Sequence, residues 1–197
     1  MTPETLQRSL QELRLAREAE LKAHYARSLP FADGLFDRWE RARRLGFGEG
    51  ASIYDSACVF GEVSVGAETW IGPWVMLDGS GGGIRIGSTC SISSGVHIYT
   101  HDTVLWALSG GKLKPRQAAV AIGSRVYIGS QCVIGRGVTV GDMCVIGANS
   151  FVRHDVPSRA IVAGVPARQI GLVEGDNDTI KLVFNSDVDA GLRSACL

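Results

Sequence analysis

Net charge is what this chain lacks first: 20 lysines and arginines balance 20 aspartates and glutamates, and no basic stripe runs through the 197 residues. Nucleic-acid backbones are held by such stripes, so nucleic acid is not an expected partner. No apolar run approaches the roughly 20 residues needed to cross a bilayer. The N-terminal Thr2-Pro3-Glu4 also lacks the apolar core of a secretory leader. The expectation is a cytoplasmic protein with no integral membrane segment. Five cysteines are an odd number, which argues against a disulfide framework.

Glycine, in contrast, is plentiful and falls on a beat. An aliphatic residue returns every six positions through Ile122, Ile128, Ile134, Val140, Ile146 and Val152. Gly123, Gly129, Gly135, Gly141 and Gly147 follow the first five. The same interval runs through Ile53, Val59, Val65, Ile71 and Leu77, then Ile86, Ile92 and Ile98. This is neither a helical period nor simple strand alternation; it is the hexapeptide signature of a parallel β-helix. Two places before each aliphatic stands a small or β-branched residue, such as Val126, Cys132, Val138, Cys144 or Ser150. Residues two apart on a strand share a side, so each hexad sends one small and one large side chain inward. Glycine is expected to supply the turn through its access to positive φ. Cys90, Cys132 and Cys144 occupy the small inward position and read as packing residues.

Residues between the inward pair face outward. If three hexads make a coil, Tyr127 shares a face with Val145, and Val133 shares another with Phe151; Trp70 and Met76 are outward in the first run. Such exposed apolar surface calls for a partner, and other copies of the chain are the simplest one. Cover by the chain's own terminal segments is the alternative.

The repeats divide the chain into a helical segment 1–46, a β-helix domain 47–171 with a protruding loop 102–119, and a tail 172–197. Thr2 can cap a helix that begins at Pro3 and runs to about Ala26, with Leu6, Leu10 and Leu13 on one side. A second helix is expected from Asp33 to Leu45, with Leu35, Phe36, Trp39 and Ala42 as its stripe and Gly46 as its stop. Both are expected to plug or flank the first coil, whose strand edges are otherwise open. Thr179 to Phe184 reads as one more strand.

Two interruptions break the beat. Asp78-Gly79-Ser80-Gly81-Gly82-Gly83 inserts three residues, and 102–119 leaves the wall as a loop. Removing the three extra residues stacks Leu77 below Ile98, which brings the glycine-rich corner beside Thr100-His101-Asp102. Histidine ordinarily titrates near neutrality, so His101 at the loop mouth is a candidate proton carrier. A corner histidine capping backbone carbonyls is the competing reading. His97 is assigned to an interface or pocket wall and His24 to solvent. Asp78, Asp102 and Trp106 lie near or on the expected rim, as candidate substrate-binding residues or as loop scaffolding.

Ile98-Tyr99-Thr100-His101-Asp102, Ala121-Ile122-Gly123, Val126-Tyr127-Ile128-Gly129-Ser130 and Val145-Ile146-Gly147-Ala148-Asn149-Ser150 resemble the hexapeptide acyltransferases. So do Gly137-Val138-Thr139-Val140-Gly141-Asp142, Asp155-Val156-Pro157 and Ala163-Gly164-Val165-Pro166-Ala167-Arg168. The pattern is most similar to galactoside, maltose and xenobiotic acetyltransferases and to O-acetyltransferases of surface-polysaccharide pathways. It covers about residues 50 to 171. The resemblance implies an all-β left-handed β-helix with short N-terminal helices, assembled as a homotrimer, with acetyl-CoA as donor and a site between subunits. It assigns His101 as general base and the Ser130 N–H as oxyanion donor. It places Tyr127, Ser130, Ala148, Arg153, His154 and Arg168 along the CoA groove.

Acetyl transfer to a sugar hydroxyl is the expected reaction, because a hydroxyl needs base assistance that an amine needs less. N-acetylation of a nucleotide-linked amino sugar is the alternative, and a non-catalytic trimeric scaffold is an alternative of another class. A γ-type carbonic anhydrase would need three histidines on a metal. The spacing of His97, His101 and His154 does not resemble that ligand set, so no metal is expected. Serine acetyltransferase would demand a larger helical N-terminal domain.

Overall fold

The computed structural model describes residues 2–185. Within it the hexads stack as the sixfold beat dictates. One ladder aligns Ile53, Ile71, Ile92, Ile128, Ile146 and Val162, each in parallel register with the next. A second aligns Val59, Leu77, Ile98, Ile134 and Val152. A third aligns Val65, Ile86, Ile122 and Val140, ending in a bridge to Val156. The coil is thus a triangular prism with three parallel faces, here called first, second and third in chain order. Every ladder residue is buried except Val59, which packs on the core from a partly exposed position. The small inward residues Val126, Cys132, Val138 and Cys144 fill the corners between ladders at 2% exposure or less. Burial pushes the thiols of Cys90, Cys132 and Cys144 above the ordinary cysteine value, so they are packing groups and not thiolate nucleophiles. Cys196 lies outside the described residues.

The glycines of the beat serve a different purpose from the one expected. Positive φ falls two residues later, at Arg125, Gln131, Gly137, Met143 and Asn149. The glycines themselves are needed because the coils approach closely: a Cβ on Gly129 would meet the Ala148 nitrogen at 2.6 Å, and one on Gly141 would meet the Ser158 nitrogen at 2.5 Å. Gly129 and Gly141 therefore set the coil spacing, and the residue after next turns the chain.

The helices depart from an all-β description. Helix α1 (Pro3–Tyr25) is capped by the Thr2 side chain and ends in a left-handed Ala26. It is long rather than short, and none of its residues is buried. Leu6, Leu10 and Leu13 stay 41–48% exposed, so α1 does not plug the prism. The expected second helix is broken into α2 (Phe31–Leu35) and α3 (Arg38–Arg44). Phe36 is extended, and the Asp37 carboxylate accepts from the Trp39 and Glu40 N–H groups, starting a new helix. An aspartate three places before a glutamate is a start signal that competes with the apolar stripe. Gly46 ends α3 with φ of 73° while Phe47 N–H bonds Ala42 and Gly46 N–H bonds Arg43, a Schellman stop. The open end is capped by α3 with α2 beside it: Ala42 and Phe47 join the core, Arg41 donates to the carbonyls of Tyr54 and Ala57, and the buried Asp33 carboxylate of α2 accepts the Ser56 N–H.

At the other end, Ala160–Gly164 continues the first face and folds back antiparallel onto Ala167–Glu174, which pairs with Lys181–Phe184. Ile170, Val173 and Phe184 pack against Met143, Val145 and Ile161. The first face is therefore partly covered by the chain itself: Val145 lies under this hairpin, and Trp70 is met edge-on by Tyr54 at 6.3 Å. Apolar surface is left open on the second face, where Met76, His97, Val133 and Phe151 stand in one row.

Candidate active site

The glycine-rich interruption does not leave the wall. Met76–Ile86 is one continuous strand bent round the corner between the second and third faces. Phe60 pairs Asp78 and Gly61 pairs Gly79; the register then slips to Val63 with Ile84. The extra residues make a flat shelf against the coil above. A Cβ on Gly81 would lie 2.5 Å from the Thr100 carbonyl oxygen and 2.7 Å from His101 Cβ.

Thr100 fastens this corner. It is fully buried, its hydroxyl donates to the Asp78 carbonyl at 2.7 Å, and it accepts the Gly81 N–H at 2.8 Å. His101 is left free of backbone carbonyls, with its side chain 30% exposed. Its Nδ1 faces the Asp78 carboxylate at 3.8 Å and the Ser80 hydroxyl at 3.5 Å. That hydroxyl donates to the other Asp78 oxygen at 2.5 Å. Asp78 is only 16% exposed, so it stands behind the imidazole as a fixed anion rather than out on a rim. With Nδ1 turned to Asp78, Nε2 is the nitrogen left to exchange a proton with a substrate.

Beyond His101 the excursion is an antiparallel pair of short strands, His101–Asp102 against Arg116–Gln117, with α4 (Val104–Leu108) at its tip. Trp106 sits on α4, 48% exposed. Asp102 is occupied: Arg136 Nε donates to it at 2.6 Å, and Arg116 reaches it through Nε at 3.3 Å and Nη2 at 3.0 Å. The Arg136 hydrogen bond above all, with Arg116 beside it, pulls the Asp102 pKa down from 3.8 to about 2. Asp102 thus anchors the excursion, in line with the scaffolding alternative. Arg116, Arg136 and Ser80 were not singled out from the sequence. Arg136 follows Ile134, the residue stacked on Ile98, so extending the stacking rule one coil upward would have found it.

This anchor has a pH signature. A carboxylate with a depressed folded pKa contributes stability above its unfolded value, and loses it as pH falls through the folded one. The contribution of the Asp102 clamp is therefore expected to persist at pH 4 and fade as pH approaches 2. Arg136→Ala should move the Asp102 titration toward 3.8. A carboxyl NMR titration reads that shift, and faster hydrogen exchange across residues 101–117 should accompany it.

The remaining candidates fall into two groups. Tyr127 is outward on the first face and 38% exposed. Ser130 and Ala148 lie one above the other on the corner between the first and second faces. The Ser130 carbonyl takes the Asn149 N–H, and its own N–H bonds no group among the described residues. Arg168 lies beside Ala163 on the hairpin that extends the first face. Arg153 and His154 are exposed on the other edge of the second face, above His101 and Arg136. One face, roughly 15 Å of strand at about 3.3 Å per residue, separates Ser130 from the His101 corner within a chain. One reacting carbon cannot touch both.

Residues 119–154 match the bacterial transferase hexapeptide family, six repeats. Over that stretch the chain is similar to the hexapeptide-repeat transferases. It is 37% identical over 107 residues to Protein CapG of Staphylococcus aureus, covering 53% of this chain and 60% of that one. It is 33% identical over 135 residues to a serine acetyltransferase of Mycobacterium tuberculosis, covering 68% and 55%. The chain therefore spans somewhat over half the length of these curated relatives. Among solved structures it is similar to a variant of AntD, an N-acyltransferase from Bacillus cereus in complex with dTDP and coenzyme A. That likeness has a TM-score of 0.59 and 27% identity, covering 64% of this chain and 72% of that one. It is also similar to a hexapeptide-repeat-containing acetyltransferase from Vibrio cholerae complexed with acetyl coenzyme A. There the TM-score is 0.53 and the identity 26%, covering 84% and 89%. Among the described residues of this hexapeptide-repeat protein, no group of three or more His, Cys, Asp or Glu could hold a metal. No described helix is long and apolar enough to cross a membrane.

Proposed function

We propose that this protein is an acetyl-CoA-dependent acetyltransferase acting on a sugar, built as a left-handed β-helix and assembled as a trimer with its sites between subunits. The observation that carries the proposal is the His101 imidazole set between the Asp78 carboxylate and open space, at a corner held by Thr100. A sugar hydroxyl becomes a competent nucleophile as His101 Nε2 takes its proton, a contribution of about 10²–10⁴-fold. Asp78 holds the ring and stabilises the imidazolium. The hydroxyl oxygen bonds to the thioester carbonyl carbon, and the Ser130 N–H of a neighbouring copy receives the charge on the carbonyl oxygen. Collapse breaks the carbon–sulfur bond, and the departing CoA sulfur takes the proton back from His101. The core cysteines take no part, so transfer is direct.

Tyr127, Ala148 and Arg168 line the donor groove along one edge, while Arg153 and His154 close it from the adjacent copy. Acetyl-CoA is made and used in the cytoplasm, which is where the reaction is placed. Acetylation of an amino sugar nitrogen is the second reading, favoured by the likeness to AntD, an N-acyltransferase crystallised with dTDP. The experiment is thiol release from acetyl-CoA with product masses, across neutral sugars and nucleotide-linked amino sugars. Acetylated product from either panel supports transfer, and the position of the acetyl group separates oxygen from nitrogen. Acetyl-CoA that neither binds nor turns over would leave the scaffold reading.

A further inference from the structure

Charge is divided across the His101 strand pair. Between Asp102 and Asp142 the sequence contains no acidic residue, but it holds Lys112, Lys114, Arg116, Arg125 and Arg136. On the side of His101 toward the C-terminal coils stand the Arg116 and Arg136 guanidinium groups, both paired with Asp102. On the side toward the N-terminal coils the order reverses. The Asp78 carboxylate, from the coil below, faces His101 Nδ1 at 3.8 Å, and the Glu62 carboxylate lies against the shelf, 3.8 Å from where a Gly83 Cβ would be. Glu62 is exposed and forms no ion pair among the described residues. Successive residues of a strand point to opposite sides. Val59 points to the core, so Phe60 points out, 49% exposed and in register with Asp78, which is itself in register with Tyr99. The Tyr99 hydroxyl is within 3.1 Å of His97 Nδ1, which fixes its direction.

An open aromatic face, an unpaired carboxylate and a bare glycine shelf beside a proton carrier are the elements that hold a pyranose. The ring's C–H face lies on the aromatic, and its hydroxyls donate to carboxylate oxygens. We propose that Phe60, Glu62 and Tyr99 form, with Asp78, an acceptor subsite on the N-terminal side of His101, built for a neutral or amino-bearing sugar ring and selective against an acidic one. The proposal rests on the acetyl-transfer reading and gives it a direction: acceptor below the strand pair, CoA phosphates above it. Glu62 sets the charge preference, since a second carboxylate brought beside it is repelled.

The test titrates N-acetylglucosamine, glucosamine and glucuronic acid into the assembled protein, followed by saturation-transfer NMR, with acetyl-CoA affinity measured in parallel. The first two sugars are expected to bind about tenfold more tightly than glucuronic acid, and Glu62→Gln to shrink that gap to about threefold or less. Phe60→Ala should weaken the binding sugars about fivefold to tenfold and Phe60→Tyr should restore it, with acetyl-CoA affinity and oligomer mass unchanged. Equal binding of glucuronic acid by the unmodified protein would overturn the subsite. So would sugar binding unaffected by Phe60→Ala, or an oligomer that dissociates in that variant. Failure of the unmodified protein to bind acetyl-CoA would instead defeat the acetyl-transfer reading, and the sugar titrations would still report on the subsite.

Discussion

His101→Ala is expected to cut acetyl transfer by about 10²–10⁴-fold while the fold, the oligomer and acetyl-CoA binding persist. The structure separates the two roles a corner histidine can have. Carbonyl capping at this corner is done by Thr100, through its hydroxyl to Asp78 and its acceptance of the Gly81 N–H. Among the described residues the His101 side chain has only Asp78 and Ser80 as polar partners, so its removal leaves the wall intact. Asp78→Asn makes the companion measurement. The amide keeps the shape of the side chain and loses the charge behind the imidazole, so kcat should fall about tenfold or more with acetyl-CoA KM little changed. A histidine that merely packed the corner would give the opposite result: near-normal turnover in His101→Ala and a lower melting temperature.

A second route to the same atom runs through the shelf. Gly81→Ala would place a methyl group 2.7 Å from His101 Cβ and 2.5 Å from the Thr100 carbonyl oxygen. Backbone on one side and the imidazole stem on the other cannot both yield.

Much of this was readable from the chain, because a sixfold beat is a strong constraint. Once three hexads make a turn, Leu77 must lie under Ile98 and the glycine-rich corner beside His101, as found. What escaped were features set by competition between local signals or by contacts between coils. Asp37 split one expected helix into two because its carboxylate finds two backbone N–H groups, worth about 1 kcal/mol as an N-cap. The glycines were assigned to turning when their purpose is coil spacing, since closeness between coils is invisible in a single hexad. Asp102 was legible as either a substrate contact or loop scaffolding, but its partners Arg116 and Arg136 were not, because they come from 14 and 34 residues away. The exposed stripe of α1 looked like a plug, yet Arg41 and Ala42 of α3 had already closed the prism.

Mixing two inactive variants is expected to restore activity, and this is the sharpest test of a shared site. His101 and Ser130 stand on opposite edges of the second face, and that face carries the uncovered row Met76, His97, Val133 and Phe151. A reacting carbonyl that meets both groups must lie between the His101 edge of one copy and the Ser130 edge of the next. His101→Ala removes the base from one edge, and Ala148→Arg fills the groove on the other. Each homotrimer should be inactive. In randomly mixed trimers about a quarter of the sites join an intact His101 to an intact groove, so roughly a quarter of full activity should return. A site contained in a single chain would show no recovery at any mixing ratio. Phe151→Asp examines the same seam from its contact surface. A carboxylate placed at a 36% exposed position in that apolar row would be desolvated without a cation beside it. The trimer should dissociate on dilution, and turnover should fall in proportion to trimer mass measured by light scattering.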